Sequence, residues 1–102
     1  MTLKEGPIIK CKKCLTEYNI LPEDFDGPDA ASDERNMGYE IQFSWNYEVN
    51  CQNCQNEMHI LIEGYEYPQG VFNYEEFTAH GCILIKNPVL EIQYLQDDDE
   101  TS

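Results

Sequence analysis

Two Cys-x-x-Cys pairs constrain this chain more than any other feature of its sequence. The first pair is Cys11 and Cys14, and the second, far along the chain, is Cys51 and Cys54. A spacer of two residues lets both sulfur atoms of a pair converge on one ion, and four thiolates form a closed tetrahedral set. We therefore predict that the two pairs meet at one structural zinc ion bound by these four residues.

Iron is the alternative ion, because rubredoxin-like electron carriers hold a single iron with the same four-cysteine arrangement. Their knuckles usually carry proline and glycine around the cysteines, whereas the knuckles here read Cys-Lys-Lys-Cys-Leu and Cys-Gln-Asn-Cys-Gln. We therefore favour zinc over iron. A site closed by four cysteines has no open position for water, so we expect neither zinc catalysis nor an enzyme.

The clearest secondary-structure signal surrounds the second pair. Apolar and polar residues alternate strictly over 39–50, which is typical of a long strand with one buried face. This strand leads directly into Cys51, and Met58, Ile60 and Ile62 alternate in the same way after the pair. The pattern predicts a β-hairpin with the second knuckle at its tip.

The other segments complete the predicted fold. Residues 21–36 hold six acids, two prolines and one glycine, and they predict an acidic loop. After a break at Gly81, apolar residues recur over 83–94 and predict two more strands or one bent strand, whereas 96–102 predict a disordered acidic tail. We expect one mainly β, zinc-ribbon-type domain over 1–95, with an added C-terminal β-hairpin packed on the long strand.

The charge of the chain restricts its partners. There are 20 acidic residues against six lysines and arginines, for a formal net charge of −14. Half of these cations, Lys10, Lys12 and Lys13, flank the first pair, where they would offset the charge of a metal thiolate site. So acidic a chain repels phosphate backbones, which disfavours nucleic acid and favours a basic partner protein.

The sequence also predicts where the protein resides. Its first residues lack the apolar core of a signal peptide, and no apolar run approaches the roughly 20 residues that span a bilayer. We therefore expect a cytoplasmic protein without a membrane role. Thiols stay reduced in that compartment, which favours a metal site over disulfide bonds.

Three further residues are candidates for chemistry. Cys82 is expected to be a small buried residue; His80 is its nearest base, and no third residue can be named to orient such a pair. His59 is expected at a surface or edge rather than on the metal.

The aromatic residues over 45–74 are expected in the core or at a protein contact, because a base-stacking platform needs cations and 39–85 has none.

Three segments carry a resemblance to a known group of proteins. Residues 32–40 read Ser-Asp-Glu-Arg-Asn-Met-Gly-Tyr-Glu, the second knuckle follows, and residues 67–74 read Tyr-Pro-Gln-Gly-Val-Phe-Asn-Tyr. Together they resemble poorly characterised bacterial zinc-ribbon modules with an ERxMGxE segment, a CxxC knuckle and a YPxGxFNY loop, some from defence or mobile-element settings. The resemblance covers roughly residues 8–85. It implies a zinc site on the same four cysteines and no established activity.

Within the first of these segments, Arg35 is expected to pair with Glu40, Met37 to pack inward and Gly38 to permit a turn. The function expected from the sequence is a non-enzymatic, zinc-stabilised interaction module, for example an antitoxin, an immunity protein or a regulatory subunit that acts on a basic partner. The alternatives are a nucleic-acid-binding zinc ribbon and a rubredoxin-like iron carrier.

Overall fold

The fold is mainly β. The computed structural model describes residues 1–36 and 38–92, and this part of the chain forms nine strands and one 3₁₀ turn. It contains no helix long and apolar enough to cross a membrane. The elements are β1 (Thr2–Glu5), β2 (Ile8–Cys11), β3 (Glu17–Asn19), the 3₁₀ turn (Pro22–Asp24), β4 (Asp26–Arg35), β5 (Gly38–Asn50), β6 (Glu57–Glu66), β7 (Phe72–His80), β8 (Cys82–Lys86) and β9 (Val89–Glu91).

The long hairpin predicted around the second knuckle is confirmed. Strands β5 and β6 pair antiparallel over ten residue pairs, with Trp45 opposite Ile62 and Val49 opposite Met58. Every second residue of β6 is buried, and Ile60 is fully inaccessible to solvent. Period-two alternation therefore places one face of this hairpin in the core.

The loop predicted over 21–36 is wrong for most of that segment. After the 3₁₀ turn, β4 pairs with β5 and forms one edge of a four-stranded sheet of order β4-β5-β6-β7. All ten residues of β4 are exposed, so main-chain pairing with β5, rather than side-chain burial, creates this strand. Pro28 is accommodated because the register shifts between Asp26 and Asp29, where a bulge removes the need for a ladder hydrogen bond.

The C-terminal strands exist, but they do not form a hairpin on the long strand. The long strand already has β4 on one side and β6 on the other, so it offers no free edge. Strand β8 instead pairs with β2 in a three-stranded sheet of order β3-β2-β8, and β9 pairs with β1. The predicted hairpin is therefore corrected to two separate pairings with the N-terminal strands.

The core lies between the buried face of the four-stranded sheet and the two smaller sheets. Ile9 of β2 and Ile20 are buried there with Trp45, and Phe25 contacts the ring of Tyr47 at 5.5 Å between centroids. Apolar burial of this kind stabilises a fold by about 25 cal/mol per Å². The main buried residues are Leu3, Ile9, Cys11, Ile20, Phe25, Trp45, Cys51, Met58, Ile60, Ile62 and Cys82.

The remaining predictions for the fold have mixed outcomes. Arg35 does pair with Glu40, with Nη2 2.8 Å from Oε1. Met37 and the tail at 96–102 lie outside the described residues. The assignment of 1–95 to one domain stays a prediction.

Candidate metal centre

The two knuckles share one backbone arrangement. In the first, the Leu15 N–H donates to the Cys11 carbonyl at 2.9 Å, and the Cys11 N–H donates to the Thr16 carbonyl at 2.9 Å. In the second, the Gln55 N–H donates to the Cys51 carbonyl at 2.7 Å, and the Cys51 N–H bonds the carbonyl of residue 56 at 2.8 Å. Each turn is tight enough to aim both of its sulfur atoms at one point.

The residue after each pair has the same unusual conformation. Leu15 and Gln55 both have a φ of 65°, in the left-handed region that favours glycine. Glycine adopts this conformation without strain, but neither knuckle of this chain has a glycine at that position. Leucine and glutamine are unrelated side chains, yet both adopt this energetically unfavourable backbone conformation. The surrounding structure therefore imposes the knuckle geometry on them.

The four predicted ligands converge. All four Sγ atoms lie within 4.8 Å of one another, and the shortest separations between knuckles are 3.4 Å from Cys14 to Cys51 and 3.6 Å from Cys11 to Cys54. A tetrahedron with metal–sulfur bonds of about 2.3 Å has edges of about 3.8 Å. The separations are far longer than a disulfide bond, and all five cysteines are free thiols. Four convergent thiols of this geometry can hold a metal ion.

Side chains from each knuckle contact sulfur atoms of the other. The Tyr18 hydroxyl accepts a hydrogen bond from the Gln52 N–H at 3.1 Å, and it therefore donates to Cys51 Sγ, also at 3.1 Å. In the reverse direction, Asn56 Nδ2 lies 3.6 Å from Cys11 Sγ and donates to the Gly81 carbonyl at 2.8 Å. Such contacts orient ligands and tune their basicity.

The surroundings of the sulfur atoms shift the pKa values of the thiols in different directions. Two bonds from Thr16, by its hydroxyl at 3.1 Å and by its backbone, lower the pKa of Cys14 to about 5. A backbone hydrogen bond within the knuckle lowers the pKa of Cys11. Cys54 receives a backbone hydrogen bond that favours its thiolate, but burial and its contacts with the other three cysteines raise its pKa to about 12. The pKa values of both thiols of the first knuckle, beside the lysines, are therefore lowered, whereas that of Cys54 in the second knuckle is raised.

The other candidates lie near the cluster or along the sheet. Cys82 is buried, as predicted, and it lies opposite Cys11 in the β2–β8 register; burial raises its pKa. Gly81, with a φ of 76°, ends β7 before β8 begins, so His80 belongs to a different strand from Cys82. His80 stacks on His59 at 6.3 Å between ring centroids, and His59 Nε2 bonds Asn46 Oδ1 at 3.1 Å.

The aromatic residues divide between core and surface. Trp45 is buried, as expected for the core, whereas Phe72 and Tyr74 are 38% and 46% exposed, and for these two the alternative of a protein contact stays a prediction. Sequence reasoning also missed Tyr18, Thr16 and Asn56 as neighbours of the sulfur atoms. Their positions just after each pair were the only sequence signal that pointed to them.

Scans against family models, curated proteins and solved structures gave no match to this chain.

Proposed function

We propose that this protein is a non-catalytic, zinc-stabilised module that binds a basic partner protein. The observation that carries the first part is the closed cluster of four thiols, whose tetrahedral spacing suits zinc. Four protein ligands leave no position for a reactive water, so the ion supports the fold rather than a reaction. Five free thiols are compatible with the reducing cytoplasm, where we place the protein.

The acidic surface supports the second part. The described residues include sixteen carboxylates and six lysines and arginines, and only Glu5, Glu17, Asp33, Glu40, Glu66 and Glu91 form ion pairs there. Ten carboxylates of the described chain, which is sixteen minus six, are thus available to a partner. A field of this sign accelerates association with a basic protein and opposes nucleic acid. An antitoxin, an immunity protein or a regulatory subunit would have these properties.

Metal analysis of the purified protein tests the structural role. We expect one zinc per chain in a colourless protein, and we expect a chelator to abolish the thermal unfolding transition. A coloured protein with one iron per chain would instead support electron transfer. An unchanged transition after complete removal of the metal would refute the structural role.

Binding of a model basic segment tests the partner class. The probe is a fluorescent nonapeptide of serine and threonine with arginine at every fourth position, which we call the arginine peptide, and its control carries glutamate instead. We expect salt-sensitive binding of the arginine peptide alone. If the protein does not bind this peptide at low salt, or binds a single-stranded DNA oligonucleotide more tightly, the proposal of a basic partner is wrong.

A further inference from the structure

The four-stranded sheet has a second face that the core does not use. Side chains that alternate with the buried residues of β5 and β6 lie on this side, which we call the open face. Its hydrogen bonds and ring contacts run between its own side chains, for example from Gln42 Nε2 to Glu63 Oε2 at 2.7 Å. On the edge strands β4 and β7, the residues of this face are exposed. The open face is thus a wide polar surface on a rigid sheet.

The register places a concentration of negative charge on the open face. Asp33 lies opposite Glu40 across β4 and β5, and Glu63 lies opposite Glu76 across β6 and β7. Among the lysines and arginines of the chain, all of which are described, Arg35 alone belongs to this face. The carboxylates that share it are Asp26, Asp29, Asp33, Glu40, Glu48, Glu57, Glu63 and Glu76.

Between these carboxylates lies an aromatic pair. Tyr65 and Tyr74 are directly opposite each other on β6 and β7, and their rings stack at 4.2 Å between centroids with 9° between planes. Burial raises the pKa of Tyr65 to about 12, and the charge of Glu63 acts in the same direction. An aromatic surface in a negative field attracts ammonium and guanidinium groups.

A groove of about 330 Å³ joins the aromatic pair to the carboxylates of β4 and β5. Ala31 lies in line with Gln42 and Tyr65, and its small side chain leaves space beside the larger ones. Asp33 and Glu40 line the same groove. It therefore combines two carboxylates with an aromatic wall, which is the chemistry that recognises a cationic side chain.

The protein already places one guanidinium at this groove. Arg35 Nη2 lies 2.8 Å from Glu40 Oε1 and 3.4 Å from Asp33 Oδ2, and its side chain remains half exposed. The pairing shows that these carboxylates accept a guanidinium in the geometry that the sheet gives them. It also means that Arg35 competes with any cation that arrives from outside.

We propose that the open face is the docking surface for an arginine- and lysine-bearing segment of a partner protein, one of whose cationic side chains enters the groove beside Tyr65 and Tyr74. The proposal rests on the proposed function and adds the location and chemistry of the contact. Along β5, the backbone positions of Glu40 and Glu48 are about 26 Å apart at 3.3 Å per residue. An extended segment of roughly nine residues spans that distance, which sets the length of the arginine peptide.

Neutralisation of one row of the face is the central test. The face variant combines Asp29→Asn, Glu63→Gln and Glu76→Gln, and it should bind the arginine peptide about tenfold more weakly. The matched control combines Glu23→Gln, Glu34→Gln and Glu75→Gln, which removes the same charge outside the open face. We expect the control variant to bind within about twofold of the original protein.

Two single substitutions test the groove itself. Tyr74→Ala should weaken binding about threefold, whereas Tyr74→Phe, which keeps the ring, should not. Arg35→Ala should strengthen binding, because it frees two carboxylates from an internal competitor. Zinc content and circular dichroism verify that every variant remains folded.

The outcomes separate this proposal from the one on which it rests. Equal binding by the face and control variants would overturn the open face as the site and leave the basic-partner function standing. Absence of peptide binding by the unmodified protein would overturn both. A concentration-dependent dimer that the face variant abolishes would also refute the proposal, because a second copy of the chain would then cover the face.

Discussion

The two knuckles have the same backbone and opposite surroundings. Each closes with the same pair of hydrogen bonds and places its following residue at a φ of 65°. The first lies among three lysines on a small sheet, whereas the second extends from the long β5–β6 hairpin, where no cation is near in sequence. The comparison teaches that the geometry that brings the four thiols together resides in the main chain, while the local sequence places cations beside the first knuckle.

The knuckles are also linked through a shared neighbour. The Gly81 carbonyl accepts hydrogen bonds from the Lys12 N–H of the first knuckle at 3.2 Å and from Asn56 Nδ2 of the second at 2.8 Å. Tyr18 and Asn56 reach across in opposite directions to sulfur atoms. Loss of one knuckle should therefore disrupt the other.

The largest effect should come from loss of a ligand on either knuckle. We expect Cys14→Ser and Cys51→Ser each to abolish tight zinc binding and to unfold the domain, because the binding free energy of a structural zinc contributes to folding. Zinc content and thermal unfolding measure this. Cys82→Ala is the control, since it removes a buried thiol beside Cys11 and should retain one zinc per chain. Normal unfolding of only one of the two serine variants would show that the knuckles are not equivalent.

The shared neighbour provides the next largest effect. In Gly81→Ala, the added Cβ would collide with the Glu57 carbonyl oxygen at a backbone φ of 76°, so we expect a loss of at least 2–3 kcal/mol in the free energy of unfolding. Gly70→Ala is the matched control: its φ is 91°, but no atom lies within 4 Å of the new Cβ.

For Gly70→Ala we expect only the backbone cost of about 1 kcal/mol. Denaturant unfolding of the zinc-loaded proteins compares the two variants. Equal losses would mean that the contact of Gly81 with both knuckles adds nothing to its conformational role.

The features of the fold and of the knuckles that could be predicted from the sequence are those that short-range residue patterns specify. Cysteine spacing identified the four thiols that converge, and alternation identified β5 and β6, because their side chains are sorted by burial. The acidic β4 carries no such signal: it becomes a strand only because the edge of β5 is available to pair with it. The cross-knuckle contacts of Tyr18 and Asn56 depend on how the sheets are arranged, which no local pattern specifies.

The pairing of the C-terminal strands could not be predicted for the same reason, because it depends on how the sheets are arranged. The apolar residues of β8 were sufficient to predict a strand, but Ile83 and Ile85 are exposed while the buried Cys82 lies on the other face. A short strand joins whichever edge remains free, here β2, and its register is set by that neighbour. Both the pairing and the buried face are therefore properties of the assembled sheets.

A smaller effect should separate the electrostatics of the knuckles. Thr16→Val removes the hydroxyl that lowers the pKa of Cys14, so this pKa should rise toward the ordinary value of 9.0. Protons then compete with zinc at higher pH, and the midpoint of metal release on acidification should move to higher pH. Zinc affinity at neutral pH should fall about tenfold. Thr16→Ser keeps the hydroxyl and should release zinc at the original pH, and an identical shift in both variants would exclude the hydrogen bond as the cause.

The smallest effect tests whether the shared backbone of the knuckles is imposed equally on both. Leu15→Gly and Gln55→Gly each remove a side chain from a left-handed conformation, and both side chains are exposed, so little packing is lost. Relief of the backbone cost exceeds the added entropy of glycine in the unfolded chain, and each variant should gain about 0.5–1 kcal/mol. Denaturant unfolding in the presence of zinc measures both gains, and the double variant should show their sum if the knuckles respond independently. A gain in the free energy of unfolding at one knuckle and a loss at the other would show that one of the two residues has a contact that outweighs the strain. The two knuckles would then share a backbone geometry but not its energetic cost.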